Sequence, residues 1–312
     1  HELHAMNIEK VFDQWTLSER YALNPDSLGQ AAYNIELTAP YDISWHAGDI
    51  AEIQPANSMA EIAAFLIKHQ IPANSQVASL KQSIEQVLWD KNLRTEIQPF
   101  NNPEELLQQL PTLPTREYSI ASIPSQQVLR LVVRQQRDEN GQLGLGSGWL
   151  TEFASLKQSI ALRIRSNESF HLIDDNRPII CIGNGTGIAG LMSLLQQRNR
   201  QDYTANWLIF GERQREHDFF YQETIEAWKN MGTLKRLDLA FSRDQAQRIY
   251  VQDIVREQAG ELISWIDQGA VIYVCGSIDG MASGVDQALT DILGEEKVDA
   301  LRQAGRYRRD VY

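Results

Sequence analysis

Hydrophobic and polar positions alternate over short stretches in the first part of the chain. Asn34-Ile35-Glu36-Leu37-Thr38 has period two, and Gly48-Asp49-Ile50-Ala51-Glu52-Ile53 follows a turn, so Tyr33 to Ala56 reads as antiparallel, barrel-like strand material. From Met59 the period changes. Apolar residues recur at three and four residue spacing over Met59 to Gln70 and Leu80 to Asn92, and Pro103 opens a third short helix. Pro111 and Pro114 close this helical insert, about 58–113, and strands resume at Tyr118 to Ser122 and Val128 to Arg134.

Beyond Asp175 the pattern is different. The short apolar runs Ile179 to Ile182, Trp207 to Phe210 and Val271 to Cys275, with a further strand at Arg236 to Phe241, alternate with helical stretches at Ile188 to Arg198, Phe219 to Lys229, Val251 to Gln258 and Met281 to Leu293. Buried strands separated by helices predict a parallel, doubly wound sheet. Charge, Asn and Pro cluster at Asp174 to Pro178, so the expected division is 1–175 for a β half with its insert and 176–312 for an α/β half.

Composition narrows the function classes. With 29 Lys+Arg against 41 Asp+Glu, a net charge of −12, the chain offers no basic face for nucleic acid, although acids can steer a basic protein partner. No apolar run approaches the roughly 18 to 20 residues that a bilayer crossing needs, and no signal peptide is expected. Two cysteines, Cys181 and Cys275, fit a reducing compartment, and a cytoplasmic location or the cytoplasmic face of a membrane is expected. The six histidines show no zinc spacing, so no metal is expected. His1-Glu2-Leu3-His4 misses the metalloprotease spacing by one residue and precedes Met6, as an appended or frayed terminus would.

The chemistry sits at strand ends. Gly183-Asn184-Gly185-Thr186-Gly187 lies between the first α/β strand and its helix, where glycines let backbone approach a phosphate. Ser242 and Arg243, with Arg248, Tyr250 and Gln252 beyond, bring cations and hydroxyls to the end of the third α/β strand, which suits a phosphate monoester. Cys275-Gly276 ends a strand as well, placing that thiol either in the core or against a cofactor ring. In the β half, Arg116 and Tyr118 share one strand face beside Ser119, and Gly144 to Leu150 reads as a second glycine turn opening a helix.

Arg116-Glu117-Tyr118-Ser119, Gly144 to Leu150, Gly183 to Ala189, Phe210-Gly211, Phe241-Ser242-Arg243-Asp244-Gln245, Tyr250-Val251-Gln252, Tyr273 to Gly276 and the terminal Arg306 to Tyr312 follow one another in an order that resembles the ferredoxin–NADP reductase superfamily. The likeness is greatest to the FAD/NADPH reductase half of diflavin reductases of the sulfite reductase flavoprotein type. It implies an antiparallel FAD-binding β-barrel followed by an NADP-binding α/β domain, with FAD and NADPH as cofactors. By motif match, Arg116 binds FAD phosphate, Tyr118 stacks on the flavin ring, and Gly146, Ser147, Gly148 and Trp149 hold the FAD pyrophosphate. Gly185, Thr186 and Gly187 take the NADPH pyrophosphate. Arg213, Ser242, Arg243, Arg248, Tyr250 and Gln252 complete the nucleotide set, and Tyr312 covers the other flavin face. Ser119, Cys275, Asp310 and Tyr312 form the expected catalytic group.

The resemblance also implies the activity: hydride transfer from NADPH to FAD, then single-electron transfer to a flavodoxin-like or FMN domain or protein, or to a haem or iron acceptor. A stand-alone reductase of ferric chelates or soluble flavodoxin, and a nucleotide-binding interaction module without FAD, are the alternative readings. Three departures stand out. Gly190 replaces the usual proline, Ser277 the usual acid, and Gln135-Gln136-Arg137-Asp138 lacks the aromatic residue that stacks on FAD adenine. Arg137 is a candidate to stack in its place. No flavodoxin-like stretch lies within the 312 residues, so the electrons are expected to leave for a separate protein or a domain outside them.

Overall fold

A computed structural model describes residues 10–312. The His1-Glu2-Leu3-His4 run and Met6 lie outside the described residues.

The first half is a six-stranded antiparallel sheet in the order β6-β3-β8-β1-β2-β7. Its strands are β1 (Asp13–Ala22), β2 (Ala32–Thr38), β3 (Ile50–Gln54), β6 (Arg116–Ser119), β7 (Leu129–Arg134) and β8 (Ser159–Arg165). Period-two burial fixes its inner face: Trp15 and Leu17 of β1, Ile35 and Leu37 of β2, and Leu129, Leu131 and Val133 of β7 share one core. The Ala121 N–H donates to the Arg130 carbonyl at 2.7 Å, which ties the chain leaving β6 onto β7 and closes the barrel.

The insert packs on the outside. Helix α1 (Met59–Lys68) starts at a capping box, in which the Ser58 hydroxyl accepts from the Glu61 N–H at 3.1 Å and the Glu61 carboxylate accepts from the Ser58 N–H at 3.2 Å. Its Ile62, Phe65 and Leu66 bury against Val77, Ile84, Leu88 and Leu106. The helix expected over Leu80 to Asn92 is corrected. That stretch holds a two-residue ladder, β4 (Gln76–Val77) with β5 (Gln82–Ser83), then one turn, α2 (Ile84–Val87), and a 3-10 turn at Leu88–Asp90. Lys81 has a φ of 54°, which no helix continues through, and Ser83 restarts the chain at a new N-cap. Pro103 begins α3 (Pro103–Gln109) under an Asn102 cap, as its fixed φ favours. The chain re-enters the barrel at β6 and, after β7, makes the single turn α4 (Leu145–Gly148).

The second half is a parallel sheet in the order β11-β10-β9-β12-β13, with β9 (Ile179–Asn184), β10 (Asn206–Glu212), β11 (Arg236–Phe241), β12 (Val271–Gly276) and β13 (Tyr307–Val311). Helices cover both faces. On one side α5 (Ile188–Arg200), α6 (Arg215–Asp218) and α7 (Gln222–Met231) flank the sheet, and on the other α8 (Val251–Glu257), α9 (Ala259–Asp267), α10 (Ser283–Leu293) and α11 (Glu295–Gln303) do. Strand order reverses between β9 and β12, so the crevice outside their carboxyl ends is the place where such sheets take ligands. The two sheets share a core. Ala32, Ala47, Ala121, Ile123 and Val132 of the barrel pack with Ile188, Ala189, Leu191 and Met192 of α5. Among the described residues no helix is long and apolar enough to cross a membrane.

Candidate active site

A cavity of about 450 Å³ opens where the barrel edge meets the end of the chain. Strand β6 contributes Arg116, Glu117, Tyr118 and Ser119, the α4 turn contributes Gly146 and Ser147, and β13 and the terminus contribute Asp310, Val311 and Tyr312. Arg116 lies flat on the α4 turn. A Cβ at Gly146 would stand 2.4 Å from Arg116 Nε, so this glycine makes room for the guanidinium. Arg116 is exposed and forms no ion pair among the described residues. Burial pushes the Tyr118 hydroxyl up to about 12 against the opposing pull of Arg116, so the ring is a neutral plane in the cleft.

Opposite Tyr118, the Ser119 hydroxyl donates to Asp310 Oδ2 at 2.8 Å, joining barrel to α/β half. Burial raises the Asp310 carboxyl above the ordinary aspartate range, and the Ser119 hydrogen bond opposes that rise. Cys275, the register partner of Asp310, lies with its sulfur 4.0 Å from Ser119 Oγ. It is fully buried, which drives its thiol far above the usual range and keeps it neutral. Tyr312 is held on three sides. Its N–H donates to Gly276 O at 3.1 Å, its carbonyl accepts from the Ile278 N–H at 2.8 Å, and its hydroxyl bonds Thr186 Oγ1 at 2.7 Å.

A second cavity of about 450 Å³ lies over the carboxyl ends of β9, β10 and β11 and takes in Asn184, Glu212, Arg213, Ser242, Arg243, Tyr250 and Gln252. Gln252 Oε1 is buried there with no partner. Between the two, a space of about 360 Å³ lined by Gly185, Thr186, Arg134, Glu212, Arg213 and Tyr312 shares walls with both. The result is one groove from the barrel edge to the third α/β strand. Gly185 has a φ of 53°, which favours glycine, whereas Gly187 is required by close approach, since a Cβ there would meet the Cys275 carbonyl oxygen at 2.1 Å.

Several expected contacts sit elsewhere. Trp149 is 1% exposed in the barrel core, and its ring faces a separate cavity beside Gln54, Asn57 and Trp89, so its side chain does not reach the groove. Gly148 packs against Phe153 and Leu143, and Gly187 lies under β12, so both support the groove from behind. Arg248 is exposed and lies outside the cavity lining. In the stretch expected to hold an adenine-stacking aromatic, Gln135 is buried with its amide on Thr151 Oγ1 at 3.1 Å. Arg137 is tied to its own loop through the Gly141 carbonyl at 2.8 Å. Gly190 leaves just enough room, since a Cβ there would stand 3.1 Å from Cys275 Sγ.

The sequence reading missed Arg134, Gln136 and Glu212 in this groove. Arg134 and Glu212 pair at 2.5 Å across 78 residues of chain, and no local spacing signals such a pair. It also missed His46, Asp49 and His171, whose ligand-type atoms lie within 4.8 Å of one another. There both Asp49 oxygens are engaged, Oδ1 by His171 Nε2 and the Asn167 N–H and Oδ2 by the His46 N–H, so the cluster ties two segments of the first half to each other.

The residues fit a flat ring carrying phosphates: a guanidinium unpaired among the described residues over a glycine cradle, two tyrosines at one cleft, and a second glycine turn leading to Arg213 and Arg243. A family profile described as an oxidoreductase NAD-binding domain matches residues 181–287. The chain is 41% identical over 228 residues to the sulfite reductase [NADPH] flavoprotein alpha-component of Yersinia enterocolitica, covering 68% of this chain and 38% of that protein. Its identity to the Vibrio vulnificus protein of the same name is 38% over 238 residues, 71% of this chain and 39% of that protein. The chain thus spans less than half the length of these relatives. Residues 181–287 thus carry an oxidoreductase NAD-binding domain, and the barrel and parallel sheet accompany a likeness to these flavoprotein components over about two thirds of this chain.

Proposed function

We propose that the chain is an NADPH-dependent FAD reductase module of the diflavin type. The observation that carries this reading is the continuous groove that runs from Arg116 and Tyr118 past Tyr312 and Thr186 to Ser242 and Arg243. Bound FAD would supply the hydride-accepting and one-electron chemistry, so the protein's task is to bind, orient and exclude water. Arg116 offers an unpaired cation for the flavin phosphates, and Gly146 with Ser147 lines the same wall. Tyr118 and Tyr312 both line the cleft and offer it ring planes. To admit nicotinamide, the Tyr312 ring would give up its hydrogen bond to Thr186, while the backbone ties to Gly276 and Ile278 could stay.

Ser119 and Asp310 hold a proton between them at the cleft, favoured by the burial of the carboxyl. Cys275 forms a neutral, water-free floor beneath Ser119. Ser242 and Arg243, with Arg213 and Tyr250, suit the 2′-phosphate that marks NADPH. The relatives are named as components of a sulfite reductase. By that likeness the electrons leave this chain for an acceptor partner, a flavodoxin-like or FMN domain or protein, or a haem or iron centre. The reading also places the chain in the cytoplasm or at the cytoplasmic face of a membrane. Titrating FAD into flavin-stripped protein tests it. Saturable quenching of flavin fluorescence that weakens strongly in Arg116→Ala supports it, and stripped, folded protein that takes up no FAD refutes it.

A further inference from the structure

Two acids, Glu212 and Asp279, line the cavity proposed to take the phosphate, and Glu212 is the one that also stands beside the glycine turn. Glu212 ends β10 and lines the same cavity as Arg213, Ser242 and Arg243. In parallel dinucleotide-binding sheets an acid beyond the glycine turn accepts from a ribose hydroxyl, and a bare carboxylate there repels a phosphate. Glu212 is not bare. Arg134, from the last residue of β7 in the barrel, reaches across the junction and pairs with Glu212 Oε2 at 2.5 Å, with both side chains largely buried. A hydrogen bond from Arg134 Nη1 to the Gln30 carbonyl at 2.8 Å and its position over the Phe220 ring fix the guanidinium. The pair also flanks the glycine turn: a Cβ at Gly185 would stand 3.4 Å from Arg134 Nη2 and 3.8 Å from Glu212 Oε2. Burial raises the Glu212 carboxyl above its ordinary range, and Arg134, with a smaller pull from Arg213, opposes that rise.

We propose that Arg134 is a positioning residue for coenzyme choice: by neutralising Glu212 it lets the groove accept a 2′-phosphorylated dinucleotide, so the barrel sets the specificity of the α/β half. The inference rests on the nucleotide reading of the groove given above and adds the residues that tune it. Removing Arg134 exposes the Glu212 charge to a phosphate more than to a neutral ribose hydroxyl. An Arg134 that gripped phosphate directly would instead be lost whatever stood at 212.

A double-mutant cycle on the full flavin-loaded chain separates these roles, with calorimetric affinities for NADP⁺ and NAD⁺ as the readout. Arg134→Met is expected to lower the ratio of NADP⁺ to NAD⁺ affinity about tenfold or more, the size expected of one unscreened charge in a half-buried groove. Arg134→Lys keeps the ratio near that of the unaltered chain. Adding Glu212→Gln to Arg134→Met restores the ratio to within about threefold of the unaltered chain, because the charge that Arg134 screened is then gone. A double variant that keeps the full loss, or an Arg134→Met chain with an unmoved ratio, overturns the proposal while leaving the nucleotide reading intact. An unaltered chain that binds neither dinucleotide overturns both.

Discussion

Gly187→Ala is the smallest change that tests how the groove is built. The backbone of Gly187 has φ −60° and ψ −19°, open to any residue, so alanine brings no torsional strain there. The whole effect is contact. The added Cβ would lie 2.1 Å from the Cys275 carbonyl oxygen, 2.6 Å from its carbon and 2.8 Å from Gly276 Cα, all backbone atoms. Relief to an ordinary separation needs a shift of about 1 Å between the start of α5 and the end of β12. Overpacking of this kind costs about 1–3 kcal/mol of stability. Because the shift falls where Thr186 and Tyr312 meet, a misplacement of about 1 Å also lowers turnover on the order of a hundredfold. Urea unfolding and steady-state turnover with NADPH measure the two effects. Gly260 in α9 is the control, since nothing lies within 4 Å of its added Cβ. Gly260→Ala should gain about 0.5–1 kcal/mol from helix propensity. A Gly187→Ala chain with unchanged stability and unchanged turnover would refute the close-approach argument.

Two further outcomes follow from the same geometry. Arg243→Ala should weaken NADPH binding far more than NADH binding, and equal losses in paired titrations would remove Arg243 from the 2′-phosphate site. For Asp310, the folded state raises the carboxyl pKa through burial, so folding favours its protonated form. That contribution is fully present below the ordinary aspartate value of about 3.9 and is lost as pH rises through the raised one. Asp310→Asn has no such loss, so its stability relative to the unaltered chain should climb from acid toward neutral pH. Unfolding curves across that window that give a flat or falling difference would contradict the buried-carboxyl account.

Much of the architecture was legible because burial imposes a period. The continuous apolar runs at Ile179 to Ile182 and Val271 to Cys275 are strands covered on both faces, and the alternation at Asn34 to Thr38 is a barrel strand with one face inside. Leu80 to Asn92 misled because apolar residues at helical spacing there serve a small satellite core through turns, where Lys81 and Ser83 break the run. The helix α11 and strand β13 were not read from periodicity, since α11 is mostly charged and β13 leaves only Tyr307 buried. In the groove, glycine turns and strand-end arginines carry local signals. Trp149 did not, since a residue next to a glycine turn can face either way and here the barrel core takes it. Pairs that form only on folding, Arg134 with Glu212 and Asp49 with His171, leave no trace in spacing.

The central claim, that this groove holds FAD and NADPH in reactive contact, is tested most directly by one absorbance spectrum of the purified chain without oxygen, before and after NADPH. The account predicts a yellow protein whose flavin bands bleach on NADPH addition and return when air is admitted. A flavin-loaded chain whose bands stay unchanged under excess NADPH would contradict it.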